Sequence, residues 1–264
     1  MQHCQDVIKV LLFGDSITQG LGSKRINFTN ELADALGPRY QVINLAKTGT
    51  TIFYPHQILD QIVELGGREN FICVILYGNV DAQIRPNRHG RIFPHIPERY
   101  QLNGMLMPRP FYSHSPLKAV GQHLDNLIRS VLSNLIRSID GVEQWVSLDD
   151  FAEKYRLLLT RLNNMGARVC VCSCVYIDDE LFPGCQEQYL AFNEVIKSEA
   201  LSYKLPYVDL YGLLAGFVSD NGWDSCYNED HFHPNGNGYK VIADEIAGAI
   251  LGNGADVSSD ETGR

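Results

Sequence analysis

The sequence predicts an α/β fold built on a parallel, doubly wound sheet. Three observations carry that reading. Short apolar runs rich in β-branched residues recur at 7–13, 40–45, 71–77, 168–175 and 206–210. Helical patterns lie between them, and strands alternating with helices imply parallel crossovers. The first run also breaks abruptly at Gly14-Asp15-Ser16. In open parallel sheets the carboxyl ends of the strands are where ligands bind.

The first run, within VIKVLLFGDSITQG at 7–20, is apolar enough for a strand buried on both faces. Its terminal Gly14 lets the chain turn sharply and present Ser16 at the sheet edge, although an N-capping serine would look the same. Residues 27–36 (NFTNELADAL) read as a short helix stopped by Gly37-Pro38. A second strand at 40–45 leads into NLAKTG at 44–49, and a helix over about 56–65 stops at Gly66-Gly67. The third strand, FICVILY at 71–77, ends in Gly78-Asn79-Val80-Asp81, and strands at 168–175 and 206–210 complete five. Before the fourth, a capping box at 147–150 opens a helix that buries Phe151, Tyr155, Leu158, Leu162 and Met165 and ends at Gly166. A last helix covers 238–251.

Residues 82–146 interrupt the alternation and read as an insertion within one domain spanning 1–252. Its first half is loop-like, with prolines at 86, 94, 97, 108, 110 and 116. Its second half is amphipathic. Leu117, Val120, Leu124, Leu127, Val131 and Leu135 recur at steps of three and four behind Ser115-Pro116, and that spacing predicts an amphipathic helix. Residues 253–264 are small, polar and acidic and are expected to be a disordered tail.

Composition narrows the function. A net charge of −9 argues against a nucleic-acid partner. No apolar run is long enough for a membrane span and no leader pattern is visible, so a cytoplasmic location is expected. Seven cysteines do not form a disulfide framework in a chain this size. Cys170, Cys172 and Cys174 alternate in RVCVCSCV and are expected to be buried thiols rather than zinc ligands.

The chemistry concentrates in Asp230-His231-Phe232-His233-Pro234. Three residues separate Asp230 from His233, so the carboxylate can reach His233 Nδ1 and leave Nε2 free to take a proton. With Ser16 exposed at a strand end, these residues make a nucleophile, a base and an orienting acid. The chain here resembles the SGNH/GDSL hydrolase family. GDSITQG matches its nucleophile block, Asn44 through Gly49 its second block and Asp230-x-x-His233-Pro234 its last, in the family's order. The resemblance covers roughly 7–81 and 147–251. It implies a flavodoxin-like five-stranded sheet and a serine esterase or deacetylase acting on a carbohydrate or other small ester. It further implies catalysis by Ser16, His233 and Asp230, an oxyanion hole from the N–H groups of Ser16 and Gly49, and no metal or other cofactor. A carbohydrate O-acetyltransferase would use the same residues.

The third block departs from the family's G-x-N-D. If Gly78 is its first residue, Val80 replaces the asparagine donor. If Gly78 directly precedes the asparagine, Asn79 keeps that role, and this second register is the expectation. Two other readings stay open: a metal-dependent hydrolase using Asp230, His231 and His233, and a binding module without turnover. Between 84 and 118 the cations Arg85, Arg88, Arg91, Arg99, Arg109 and Lys118 face a single acid, Glu98. Arg85, Arg88 and Arg91, with Asp15, are the expected substrate contacts, and the arginines would favour an anionic ester. Pairing with the acidic body is the alternative.

Overall fold

A computed structural model describes residues 7–23, 28–66, 71–102, 106–107, 113 and 115–255. Five strands form one parallel sheet: β1 (Ile8–Gly14), β2 (Tyr40–Asn44), β3 (Phe71–Leu76), β6 (Arg168–Cys172) and β7 (Tyr207–Val208). Their order is β2-β1-β3-β6-β7, with β1 between β2 and β3. This is the doubly wound, flavodoxin-like order, and the chain reverses its direction of travel between β1 and β3. Val10–Phe13 and all of Phe71–Leu76 are buried, as their unbroken apolar runs require. Apart from β1, which reaches Gly14, the strands are shorter than the apolar runs because each run continues past its last ladder bond into the loop it feeds.

Helices cover the sheet in pairs. α2 (Phe28–Leu36) packs on α9 (Gly236–Ala255), with the Phe28 and Tyr239 rings 5.6 Å apart. α6 (Leu148–Asn164) packs on α7 (Cys185–Ser202), where Phe151 and Phe192 lie at 4.6 Å. Ser147 caps α6 by accepting the Asp150 N–H, as its capping box predicts. A short α1 (Ser16–Gln19) follows β1, α3 (Leu59–Gly66) follows β2, and α8 (Leu210–Asn221) follows β7. The reading left α7 and α8 unassigned. Cys73, Cys170, Cys172 and Cys174 are buried free thiols.

The insertion is closed at its base by an element not anticipated. β4 (Ile84–Pro86) and β5 (Val142–Gln144) pair antiparallel. Between them lie α4 (Glu98–Gln101) and the long α5 (Pro116–Asp140). Ile96, Tyr100, Leu106 and Ile136 form a small separate core there. The amphipathic helix turns its apolar face outward: Leu117, Val120, Leu124, Leu127, Val131 and Leu135 all face solvent, while Arg129, Ser133 and Ile136 are buried. Polar anchors set this rotation. The Tyr100 hydroxyl donates to Asp125 Oδ1 at 2.9 Å, Arg137 Nη2 donates to the Ile84 carbonyl at 2.9 Å, and Asp140 Oδ2 accepts the Ile92 N–H at 2.8 Å. Asn27, Gly67, Pro108, Arg109 and Pro110 fall outside the described residues. So do 256–264; α9 runs to Ala255, three positions into the expected tail.

The turn after β3 tolerates no side chain. Gly78 has φ +121°, and a Cβ there would sit 2.6 Å from Cys174 Sγ on the neighbouring strand's extension. Gly78→Ala is therefore expected to destabilise the fold by about 2–4 kcal/mol, combining backbone strain with overpacking. Chemical denaturation of the variant against the parent checks this, and a loss under 0.5 kcal/mol would refute it.

Candidate active site

The site is assembled from loops at the carboxyl ends of the strands. β1 ends in Gly14 because a Cβ there would strike Thr18 Oγ1 and come within 2.7 Å of the Leu76 carbonyl. The chain turns at once into α1, which places Ser16 in its first turn. Asp15 caps α1 by accepting the Ile17 N–H at 2.9 Å. Gly20, at φ +84°, ends the helix after one turn.

Ser16 Oγ lies 2.8 Å from His233 Nε2. His233 Nδ1 lies 2.6 Å from Asp230 Oδ2, and Asp230 Oδ1 accepts the N–H groups of Phe232 and His233 at 3.1 and 3.0 Å. Both carboxylate oxygens are thus engaged, and the imidazole is fixed with Nε2 toward the serine. Asn228 ties the same loop by donating to the His233 and Pro234 carbonyls.

The second block folds over the end of β1. Lys47 N–H donates to the Gly14 carbonyl at 3.1 Å, and Thr48 N–H to Gln19 Oε1 at 2.9 Å. Asn44 braces α1 through the Thr18 carbonyl, at 2.8 Å. Gly49 sits exposed in this turn at φ +71°, a conformation that favours glycine. Among the described residues, neither the Ser16 nor the Gly49 N–H has a protein acceptor.

A model of the GDSL-like lipase/acylhydrolase family matches residues 12–241. The chain belongs to this family, and with it to the serine hydrolases. Its fold is similar to that of a lipase/acylhydrolase from Enterococcus faecalis, at 19% identity and a TM-score of 0.57, covering 94% of this chain and 97% of that one. It is also similar to an acetylxylan esterase from Geobacillus stearothermophilus, at 15% identity and a TM-score of 0.60, covering 93% and 94%. An acetyl xylan esterase, AlAXEase, matches at 15% identity and a TM-score of 0.59, covering 92% and 100%. No curated protein matches the sequence.

Within this GDSL-type framework, four expected contacts need correction: Asp15, Asn79, Arg85 and Arg88. Asp15 is fully buried and serves α1, so it does not face a substrate. Asn79 is also fully buried: its Oδ1 accepts the Val175 N–H at 2.9 Å, and its Nδ2 faces the buried Asp15 carboxylate rather than solvent. An oxyanion donor must point at substrate space, and Asn79 points into the protein. The register with Gly78 first is the one adopted, because Asp81 then takes the block's last position and its Oδ1 accepts the Ile52 N–H at 2.8 Å. Val80 replaces the donor. Arg85 and Arg88 converge on Glu143 Oε1 at 2.7 and 2.9 Å, and Arg85 lies over the Trp145 ring. The acid that neutralises them comes from the far end of the insertion, beyond the stretch whose charges were compared. Arg91 is exposed.

His231 does not converge on Asp230 and His233. Its Nδ1 meets Asp178 Oδ2 at 2.5 Å, and its ring stacks on Trp223 at 4.6 Å, which stacks on Tyr176 at 5.1 Å. Among the described residues no three His, Cys, Asp or Glu side chains are grouped as metal ligands. The reading missed Asp178, Tyr176 and Trp223, which hold His231 at φ +47° and so shape the loop before His233. No local sequence signal marks them.

Behind the serine, burial raises two carboxyl groups. Asp15 is pushed from its ordinary 3.8 up to about 6, moderated by the Ile17 N–H. Asp81 is pushed up to about 7 by burial and by the neighbouring Asp15 charge. Between pH 4 and 7 the folded protein therefore holds a proton on Asp81 that the unfolded chain has lost. Stability from this group falls as pH rises through that interval and is flat above it. Asp81→Asn keeps an acceptor for Ile52 and removes the titration. The fall in Tm between pH 5 and pH 8 should accordingly be about 2–5 °C smaller in the variant. Identical slopes in differential scanning calorimetry would disprove it.

Asn79→Ala tests the corrected register. It orphans the buried Val175 N–H and is expected to cost about 1–3 kcal/mol of stability. Turnover per folded molecule on a short-chain aryl ester should fall less than about 10-fold, whereas losing an oxyanion donor costs on the order of 10²–10³.

Proposed function

We propose that this protein is an esterase that removes an acyl group, most plainly acetyl, from a carbohydrate or other small ester. The observation that carries it is the continuous chain Asp230–His233–Ser16, with its 2.6 and 2.8 Å links. Ser16 Oγ attacks the ester carbonyl as His233 Nε2 takes its proton, and the imidazolium is stabilised by Asp230. The N–H groups of Ser16 and Gly49 hold the oxyanion without a side-chain donor from the third block. His233 returns the proton to the leaving alcohol. Water, deprotonated by His233, then cleaves the serine ester. The acetyl xylan esterases with this fold support the substrate class. In the Geobacillus enzyme, variants replacing a serine and an aspartate with alanine are each described as catalytic mutants, which supports the roles given to Ser16 and Asp230.

Ser16→Ala and His233→Ala should each lower kcat on an aryl acetate by at least about 10³ while circular dichroism stays unchanged. His231→Ala should do much less. Equal losses from His231→Ala and His233→Ala would move the base. Product masses with and without sugar acceptors distinguish hydrolysis from transfer: free acetate in both supports an esterase.

A further inference from the structure

Among the described residues, the exposed large apolar side chains concentrate on one face of α5. The stripe already described is extended by Ile128 and Ile139, and these eight apolar residues are between 43% and 86% exposed. Seven of them follow steps of three, four and four, an 11-residue repeat that runs nearly straight along a helix. The stripe is about 33 Å long. Its exposed area is on the order of 800 Å², above the patches of 300–600 Å² usual on monomers and close to what one partner gives a standard interface.

We infer that this face pairs with α5 of a second copy, antiparallel across a two-fold axis near Ile128. Two features of the helix fit self-pairing. The first is charge. The residues beside the stripe that reach solvent are Gly121, His123, Ser130, Asn134 and Ser138, and the one exposed lysine or carboxylate is Lys118 at the helix start. Asp125, Arg129, Arg137 and Asp140 are turned toward the protein. A two-fold contact sets like residues near each other, and here no like charges meet. Antiparallel pairing instead sets Lys118 beside the negative end of the second helix. The second feature is shape. Pairing about Ile128 puts Gly121, which has open space above its Cα, opposite Leu135 of the second copy, and Leu117 opposite Ile139. An anionic membrane surface fits poorly, because a helix lying on one presents lysines and arginines beside its apolar face, and the chain carries −9 overall.

The test is sedimentation equilibrium of the full chain. The unmodified protein should sediment at twice its chain mass at micromolar concentration. Ile128→Glu and Ile128→Lys each set like charges against themselves at the axis. Each should raise the dissociation constant at least about 100-fold with esterase turnover per chain unchanged. Mixing the two variants should restore a dimer, because glutamate then faces lysine. Ile128→Cys should also cross-link to a dimer on non-reducing gels under mild oxidation, beyond any seen with the parent. A parent that stays monomeric at tens of micromolar overturns the proposal, whether or not it binds vesicles or another protein. So does a dimer that survives both charged variants. Neither result bears on the esterase reading, which the Ser16 and His233 variants decide separately.

Discussion

The absence of room for a side chain at position 14 is the constraint on which the site depends. β1 is flanked on both edges, and its last residue is wedged between Thr18 and the Leu76 carbonyl. Only glycine lets the chain turn there into a one-turn helix, and that turn fixes where Ser16 stands. Every other part of the site is referenced to it. The second block hangs on the Gly14 carbonyl, Asn44 braces the Thr18 carbonyl, and His233 reaches Ser16 from a loop closed by Asp230 and Asn228. A displacement of the β1 end would carry the serine away from a base that other strands position.

This turn leaves polar atoms in a dry place. Thr18 Oγ1 and Asp81 Oδ2 are buried without hydrogen-bond partners, and Asp15 Oδ2 and Asn79 Nδ2 are shut away from solvent with the amide beside the carboxylate. Each orphan of this kind typically costs about 1–3 kcal/mol. Their other atoms explain why they persist: Asp15 caps α1, Asn79 joins the end of β3 to the extension of β6, and Asp81 joins it to the second block. Each side chain spends one polar end on positioning a loop and keeps the other away from solvent. Protonation is the remaining relief for the two acids, and their raised pKa values are its physical expression.

How much of this was legible from sequence follows from how local each cause is. The sheet was readable because buried parallel strands are short apolar runs, and the Asp230–His233 pair because its members lie three positions apart; Ser16, 217 positions from His233, was joined to them by the family resemblance. Asn79 was misread because a block of four residues admits two registers. The choice between them rests on Val175 and Ile52, which are remote in sequence. Asp178 and Trp223 escaped for the same reason. The outward orientation of α5 was not legible at all. Periodicity reports that a helix has an apolar face, and burying that face against its own chain is the usual outcome.

The inversion of α5 follows from what its other face holds. Turning the stripe inward would gain roughly 1.5–3 kcal/mol for each large side chain fully buried. It would also strip Asp125 from the Tyr100 hydroxyl, Arg137 from the Ile84 carbonyl and Asp140 from the Ile92 N–H, exposing Ile136 as well. The insertion behind the helix is itself built on charge: Arg85 and Arg88 share Glu143 across the β4–β5 ladder. The apolar surface behind the helix, Ile96, Tyr100 and Leu106, is already covered by Ile136. The ladder is in turn fastened to the body, since the Val146 N–H donates to the Asp81 carbonyl at 3.2 Å and the Trp145 N–H to the Gln83 carbonyl at 3.3 Å. Asp81 therefore ties the insertion through its main chain and the second block through its side chain. The surface that α5 presents and the loop that carries Gly49 are positioned from one residue at the end of β3.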